Sequence, residues 1–133
     1  YQYEGSYLKG IDADTSVSYL KGRLESIGGN GTVTITNASG QSVDSNDTVG
    51  TGYKITINGT TKSTYTVLIY GDISGDGKIG SLDLLKLQRH ILKAATLSGI
   101  YLESCDANQD GKITPLDLLV IQKDVLGVEK INQ

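Results

Sequence analysis

The strongest constraint on this sequence is an internal repeat in its second half. Residues 72–83 read Asp-Ile-Ser-Gly-Asp-Gly-Lys-Ile-Gly-Ser-Leu-Asp and align with residues 106–117, which read Asp-Ala-Asn-Gln-Asp-Gly-Lys-Ile-Thr-Pro-Leu-Asp. The offset is 34 residues, and the Leu-rich stretches that follow align without a gap. Each stretch has the apolar spacing of an amphipathic helix. The sequence therefore predicts a duplicated loop-helix unit, residues 72–93 and residues 106–127.

Oxygen-bearing residues occupy the same positions in both loops. Positions 1, 3, 5 and 12 carry side-chain oxygens, and position 7 offers a backbone carbonyl, which is a pattern of hard-cation ligands. The predicted ligands are Asp72, Ser74, Asp76, Lys78 and Asp83 in the first loop, and Asp106, Asn108, Asp110, Lys112 and Asp117 in the second. Position 6 is Gly77 or Gly111, where the chain must turn through a left-handed conformation that disfavours a Cβ.

Calcium is the cation that these loops fit. It takes six to eight oxygens at about 2.3–2.6 Å, whereas magnesium keeps several waters and seldom uses a dedicated protein cage. The alternative is that both loops are ordinary solvated turns. In that case three carboxylates would converge in each loop with no cation to offset their repulsion. We therefore expect two bound Ca²⁺. Because Ser74 and Gly80 stand where the second loop has Asn108 and Thr114, we expect the first site to bind calcium more weakly.

The charge and the composition exclude several other functions. The formal net charge is −3, and six of the fifteen acidic residues are the loop aspartates, so two Ca²⁺ would bring the charge to +1. No basic patch supports nucleic-acid binding. No apolar run approaches the roughly 18 residues that span a membrane, so no membrane insertion is expected. The single cysteine, Cys105, rules out an internal disulfide and is expected to be a small buried side chain.

Residues 1–70 have a different texture, rich in threonine and glycine. Short β-branched runs separated by turn residues predict antiparallel strands at Thr32–Thr36, Tyr53–Ile57 and Tyr65–Ile69. Apolar residues at helical spacing between Asp14 and Glu25 predict a short helix over that sheet. The expected fold class is α+β, with an antiparallel β-rich module at residues 1–70 and an all-α module at residues 71–133. Since no flexible linker precedes Asp72, we expect one rigid pair of modules.

The second module lacks one feature of a standard EF-hand, because Tyr65–Tyr70 before the first loop is predicted to be a strand and not a helix. Paired loops reading D-x-[NS]-x-D-G-x-I-x-x-x-D-L, each with an exiting helix, resemble the dockerin module of cellulosomal and related secreted bacterial proteins. The resemblance covers Gly71 to about Gly127 and includes the Leu84-Leu85 and Leu118-Leu119 pairs. Residues 1–70 resemble, mainly by position, the β-rich X modules that precede some dockerins.

The resemblance implies a function in protein assembly. Dockerins bind cohesin modules, on a scaffold protein or a partner enzyme, and so attach their own polypeptide to a complex. The implied parent is a carbohydrate-active or other secreted enzyme of a cellulosome-like system for polysaccharide degradation. The implied location is extracellular, including cell-surface attachment through the complex. Because the chain begins without an initiator Met or a signal peptide, we expect it to be a piece of a longer polypeptide.

Helical phase predicts which surface meets the partner. Five apolar residues, Leu84, Leu85, Leu87, Ile91 and Leu92, fall on one arc of the first helix, which is the expected core face. The opposite faces supply the candidate partner-binding residues, which are Ser81, Leu82, Lys86, Arg89, Pro115, Leu116, Val120 and Lys123. The resemblance implies that loop positions 10 and 11, Ser81-Leu82 and Pro115-Leu116, dominate cohesin recognition. We expect the more apolar second face to dominate, which disfavours binding in two orientations.

Several of these residues also have purely structural explanations, and the chain has an alternative function. Pro115 is a favoured first helical residue, and Leu116 could pack on the first module. His90 lacks a catalytic partner fixed by sequence and is expected to be a solvated surface residue, so no enzyme is predicted. The alternative function is a calcium-stabilised carbohydrate-binding module, in which tyrosines of the β module would stack on sugars. The candidate tyrosines are Tyr1, Tyr3, Tyr7, Tyr19, Tyr53 and Tyr65.

Overall fold

The order of elements separates a β-rich first half from a helical second half. The computed structural model describes residues 2–28, 31–59 and 62–133, so Tyr1 lies outside the described residues. The strands are β1 (Gln2–Glu4), β2 (Tyr7–Lys9), β3 (Thr32–Thr36), β4 (Lys54–Asn58) and β5 (Lys62–Val67). The helices are α1 (Val17–Gly28), α2 (Ser81–Ile91), α3 (Gly99–Ser104) and α4 (Pro115–Val125). The α+β class is confirmed.

The five strands form one mixed sheet in the order β1-β2-β5-β4-β3. The pairs β1–β2, β3–β4 and β4–β5 are antiparallel. The three predicted strands, β3 to β5, therefore pair antiparallel as expected. However, β2, which was not predicted, runs parallel to β5, with Leu8 opposite Val67, so the sheet as a whole is mixed. The chain passes through α1, β3 and β4 between these two strands, and such a long connection permits parallel pairing.

The predicted strands lie close to the observed ones. β3 has the predicted bounds, and β4 begins one residue later than predicted. β5 begins three residues earlier and ends at Val67, although the backbone N–H of Leu68 still donates to the carbonyl of Leu8 at 3.0 Å. β1 and β2 were not predicted, because three-residue strands leave too short an alternation to detect.

Helix α1 covers one face of the sheet. It begins at Val17, inside the predicted range of residues 14–25, and Asp14, with a φ of 65°, lies before the helix. Val17, Leu20 and Leu24 are buried at helical spacing and pack in one hydrophobic cluster with Ile55 and other sheet residues. This first cluster draws its buried members from residues 8–69.

Residues 67–70 contribute to two hydrophobic clusters at once. Val67 and Ile69 belong to the first cluster, whereas Leu68 and Tyr70 belong to a second cluster that extends to Ile131. Successive side chains of an extended chain point to opposite faces, which explains the alternation. The boundary predicted after residue 70 stays a prediction, and the extended segment before it is shared by both cores.

The second cluster lies between the loop-helix units. Helices α2 and α4 pack against each other, and their central residues Leu87 and Ile121 are fully buried. Helix α3, directly before the second loop, was not predicted because its six residues carry no long periodic pattern. Among the described residues, no helix is both long and apolar enough to cross a membrane.

The buried face of α2 is rotated from the one predicted. It is centred near Leu87 and includes Asp83, since position 12 must face the loop. As a result Leu85 and Leu92, which were assigned to the core, are exposed by 41% and 70%. That part of the phase prediction is wrong, because it counted only apolar residues and ignored the inward-facing aspartate.

Candidate functional site

Two clusters of carboxylates form at the repeated loops. Asp72, Asp76 and Asp83 each offer an oxygen within 4.8 Å of the others, and Asp106, Asp110 and Asp117 do the same. Each cluster combines the start of a loop with the third residue of the following helix. The structure therefore brings together the six aspartates that the sequence placed at positions 1, 5 and 12.

The first aspartate of each loop organises the backbone around it. Asp72 accepts hydrogen bonds from the backbone N–H groups of Gly75, Asp76 and Gly77 at 3.1, 3.2 and 2.9 Å. Asp106 accepts from Asp110 and Gly111 at 3.1 and 2.8 Å. The chain can bend this tightly because Gly77 and Gly111 have φ of 80° and 85°.

The last aspartate of each loop ties the helix start to the middle of the loop. Asp83 accepts from the backbone N–H groups of Ser74 and Gly80, both at 2.8 Å. Asp117 accepts from Asn108 at 3.2 Å and from Thr114 at 2.8 Å. An aspartate at the third helical position also interacts favourably with the positive end of the helix dipole.

The remaining predicted ligands lie in the same loops. Ser74 Oγ is the buried side-chain oxygen that lacks a hydrogen-bond partner in the described part of the chain. Asn108 accepts from the N–H of Asp110 and donates to its carboxylate, both at 3.3 Å. The backbone N–H groups of Lys78 and Lys112 donate to position 5 of their loops at 2.9 Å. Buried polar atoms are normally paired, so Ser74 Oγ fits a site that a cation completes.

The electrostatics of the clusters also favour a cation. Burial raises the pKa of Asp72 from 3.8 to about 7, and burial also raises the pKa values of Asp83 and Asp117. Asp110 is exposed, and the N–H of Lys112 lowers its pKa. Buried like charges disfavour ionisation of one another. An all-oxygen donor set with this charge suits a hard divalent cation such as Ca²⁺.

Comparison with known families decides the nature of these loops. The model of the dockerin type I domain matches residues 70–126. Residues 70–126 are a dockerin domain. Dockerins bind calcium and a cohesin partner, and they are non-catalytic docking modules, so calcium-dependent docking is the general function of this region. No curated protein matches the chain.

The dockerin helices expose matched leucines. Three residues of α2 and its C-cap, Leu82, Leu85 and Leu92, correspond at the repeat offset to Leu116, Leu119 and Leu126 of the second unit. All six are exposed, by 41–70%. We call each set of three an apolar stripe. Sequence reasoning found the first leucine of each stripe and missed the other two, although their matched spacing in the repeats was a usable signal.

The other predicted partner-binding residues of the dockerin differ in exposure. Ser81, Arg89 and Pro115 are exposed, while Lys86 and Lys123 are half-buried. Val120 is also half-buried and packs against the second cluster, so the expectation that it is an exposed apolar residue is wrong. The cause is again an inward-facing aspartate, here Asp117, which together with Ile121 sets the buried face of α4.

Two single residues of interest have structural explanations. Cys105 is fully buried at the end of α3, as expected from the sequence. His90 is half-buried and not fully solvated as expected, and its Nδ1 accepts a hydrogen bond from the N–H of Leu97 at 3.2 Å. His90 therefore holds the segment between α2 and α3 in place against α2.

The first site has one neighbour that the sequence did not reveal. The backbone N–H of Thr51 donates to Asp72 Oδ2 at 2.8 Å, from 21 residues away along the chain. A backbone donor carries no side-chain signature, so no sequence pattern marks this contact.

Proposed function

We propose that this chain holds two Ca²⁺ and uses the exposed faces of α2 and α4 to bind a cohesin. The first ion would be held by Asp72, Ser74, Asp76, the Lys78 carbonyl and Asp83. The second would be held by Asp106, Asn108, Asp110, the Lys112 carbonyl and Asp117. The observation that carries the proposal is the pair of carboxylate clusters, each built into the first turn of a helix that exposes an apolar stripe.

The role of calcium in this proposal is to create the docking face. Without a cation, three carboxylates converge in each loop and oppose the geometry that positions the following helix. An ion that binds only the folded state at about 1,000 times its Kd contributes about 4 kcal/mol per site. Calcium therefore acts on folding, and the helices act on the partner.

The proposed docking face combines apolar and cationic groups. The stripe on α2 is bordered by exposed Arg89 and half-buried Lys86, and the stripe on α4 is bordered by half-buried Lys123. The leucines of both stripes are exposed by 41–70%, and apolar patches rimmed by polar residues are typical of protein interfaces. We propose that Ser81-Leu82 and Pro115-Leu116 lie at the centre of the contact with cohesin.

The finer biological role follows from the family. Dockerins occur in extracellular cellulosome components, so we propose that the parent is a secreted protein, and specifically a carbohydrate-active or other secreted enzyme. We further propose that residues 1–70 serve as an X-type module that supports the dockerin. Residues 67–70 support this proposal because they contribute side chains to the hydrophobic clusters of both modules.

A binding screen tests the proposed function. The chain is applied to a panel of immobilised cohesins and, in parallel, to insoluble polysaccharides, each with calcium and with excess chelator. We expect retention on at least one cohesin in calcium alone. Calcium-dependent retention on polysaccharide without any cohesin binding would support the carbohydrate-binding alternative instead.

A further inference from the structure

Residues 48–52 lie directly on the first calcium loop, and we call them the strap. A Cβ built on Gly50 would overlap the carbonyl oxygen of Gly75, and one on Gly77 would overlap the carbonyl oxygen of Val49. Gly50, Thr51 and Gly52 are buried. Contacts this close between two backbones leave no room for side chains, so strap and loop fit each other only with glycine at these positions.

Hydrogen bonds join the strap to a predicted calcium ligand. The N–H of Thr51 donates to Asp72 Oδ2 at 2.8 Å, and both residues are fully buried. The Thr51 hydroxyl in turn donates to the carbonyl of Ile69 at 3.1 Å and accepts from the N–H of Ile69 at 3.2 Å. Thr51 therefore fixes the orientation of the Asp72 carboxylate relative to the chain that leads into the loop.

Two further contacts hold the first loop from the sides. The N–H of Asp14 donates to the carbonyl of Gly77 at 2.7 Å. Asp14 adopts a φ of 65°, a conformation that costs energy in a non-glycine residue and persists only where its surroundings impose it. From the other side, Tyr101 of α3 lies beside both Gly52 and Gly75. The first loop is thus enclosed by the strap, the segment before α1 and α3.

In the described part of the chain, the second loop has no counterpart of the strap, although Gln109 Nε2 donates to the carbonyl of Asn132 at 2.6 Å. Among those residues, a Cβ on Gly111, the counterpart of Gly77, would meet no atom within 4 Å. Asp106, the counterpart of Asp72, is half-buried, and its hydrogen bonds come from its own loop. The two loops have similar ligand sets but different supports.

We propose that the strap is a positioning element of the first calcium site and couples calcium binding there to the packing of residues 2–69. This inference rests on the proposed function, because it takes calcium to bind the first loop. Groups that orient a metal ligand typically change metal affinity by about 10–100-fold when they are removed. The strap therefore offsets the poorer ligands of the first loop.

Coupling between calcium and the strap must act in both directions. If the strap raises calcium affinity, then calcium must stabilise the strap against local opening. The N–H of Thr51 reports that opening directly, because it is free to exchange with solvent only when its bond to Asp72 breaks.

A calorimetric calcium titration of the full chain tests the proposal. The titration uses an Asp110→Asn background, which removes a proposed calcium ligand from the second loop. In this background Gly50→Ala is expected to weaken calcium binding by about 10–100-fold. The matched control is Gly22→Ala in α1, where a Cβ meets nothing within 4 Å, and it should leave the affinity unchanged. In an Asp76→Asn background, which cripples the first loop, Gly50→Ala should leave the second site unchanged.

If Gly50→Ala fails to fold, a less disruptive variant and a measurement on the wild type still test the proposal. Thr51→Val preserves the shape of the side chain and removes both of its hydrogen bonds to Ile69, so a smaller loss at the first site is expected. In the wild type, calcium should slow hydrogen exchange at the Thr51 N–H by at least about tenfold.

The outcomes separate this inference from the proposed function. A first loop that binds no calcium in the wild type would contradict the proposed function itself. Calcium binding that is equally tight in Gly50→Ala and Gly22→Ala, or equal losses at both sites, would overturn only the role of the strap. Unchanged Thr51 exchange in calcium would overturn it as well.

Discussion

Asp72 is the residue at which charge and burial conflict most strongly. Its carboxylate is fully buried beside Asp76 and Asp83, and it accepts hydrogen bonds from its own loop and from Thr51. The backbone donors compensate only part of the desolvation, so the pKa of Asp72 is raised to about 7. A bound cation compensates the remainder.

The raised pKa predicts how stability depends on pH without calcium. Asp72 binds a proton in the folded state up to about pH 7 but releases it near pH 3.8 when unfolded, so the folded state binds more protons between these values. Stability in chelator therefore falls as pH rises from 4 to 7. Asp83 and Asp117 act in the same direction. With calcium bound, the carboxylates stay ionised and this loss is suppressed.

Scanning calorimetry checks this prediction. The difference in Tm between calcium and chelator should grow from pH 5 to pH 8, and Asp72→Asn should show a flatter pH dependence in chelator. A Tm that changes equally with pH in calcium and in chelator would contradict the assignment of Asp72 as a calcium ligand.

Cys105 gives a second prediction for a single residue. Burial raises the pKa of its thiol to about 12, so almost no thiolate forms at pH 8 in the folded protein. We expect a thiol reagent to react with Cys105 more than about a hundredfold slower in the native chain than in denaturant. Adding an exposed thiol by Glu103→Cys in the same helix supplies the control, which should react at once. Rapid native labelling of both thiols would refute the buried assignment.

At the scale of elements, the repeat made much of the dockerin predictable. Fixed spacing placed the six aspartates and the glycines at position 6, because loop geometry is set by neighbouring residues. The buried face of α2 was predicted less well. Because Asp83 faces inward, Leu85 and Leu92 lie at the surface and not in the core. The strap could not be predicted, because a backbone contact across 21 residues has no pattern.

The apolar stripes on α2 and α4 predict the effect of a charge on docking. Leu116 is exposed by 58% beside Pro115, and Leu82 by 50% beside Ser81. We expect Leu116→Asp to weaken cohesin binding by about tenfold or more, as for a central interface residue, and Leu82→Asp to weaken it less. Tyr19→Asp on α1, which is exposed by 60%, is the control away from the stripes.

Binding assays on these variants decide between the two faces. A loss with Leu82→Asp that equals or exceeds the loss with Leu116→Asp would contradict the dominance of the second face. Equal losses would make the two stripes equivalent, and a larger loss with Leu82→Asp would make the first face the dominant one. Because Val120 is half-buried, the two faces already differ less in exposed apolar surface than the sequence suggested.

At the scale of the whole molecule, the two halves are joined both by shared hydrophobic packing and by backbone contacts. Residues 67–70 place alternate side chains in the two hydrophobic clusters, and the strap encloses the first loop. The sequence indicated the absence of a flexible linker, but the parallel pairing of β2 with β5 and the enclosure of the loop depend on long-range contacts. Calcium bound at the first loop would therefore act on both halves.

The most direct test of the central claim is a calorimetric titration of the full chain with the cohesin that the screen selects. In calcium, we expect binding with a Kd of about 1 µM or tighter. In excess chelator, we expect the affinity to fall by at least about 100-fold, because the loops no longer hold the two helices in place. An affinity that is the same in calcium and in chelator would contradict calcium-dependent docking.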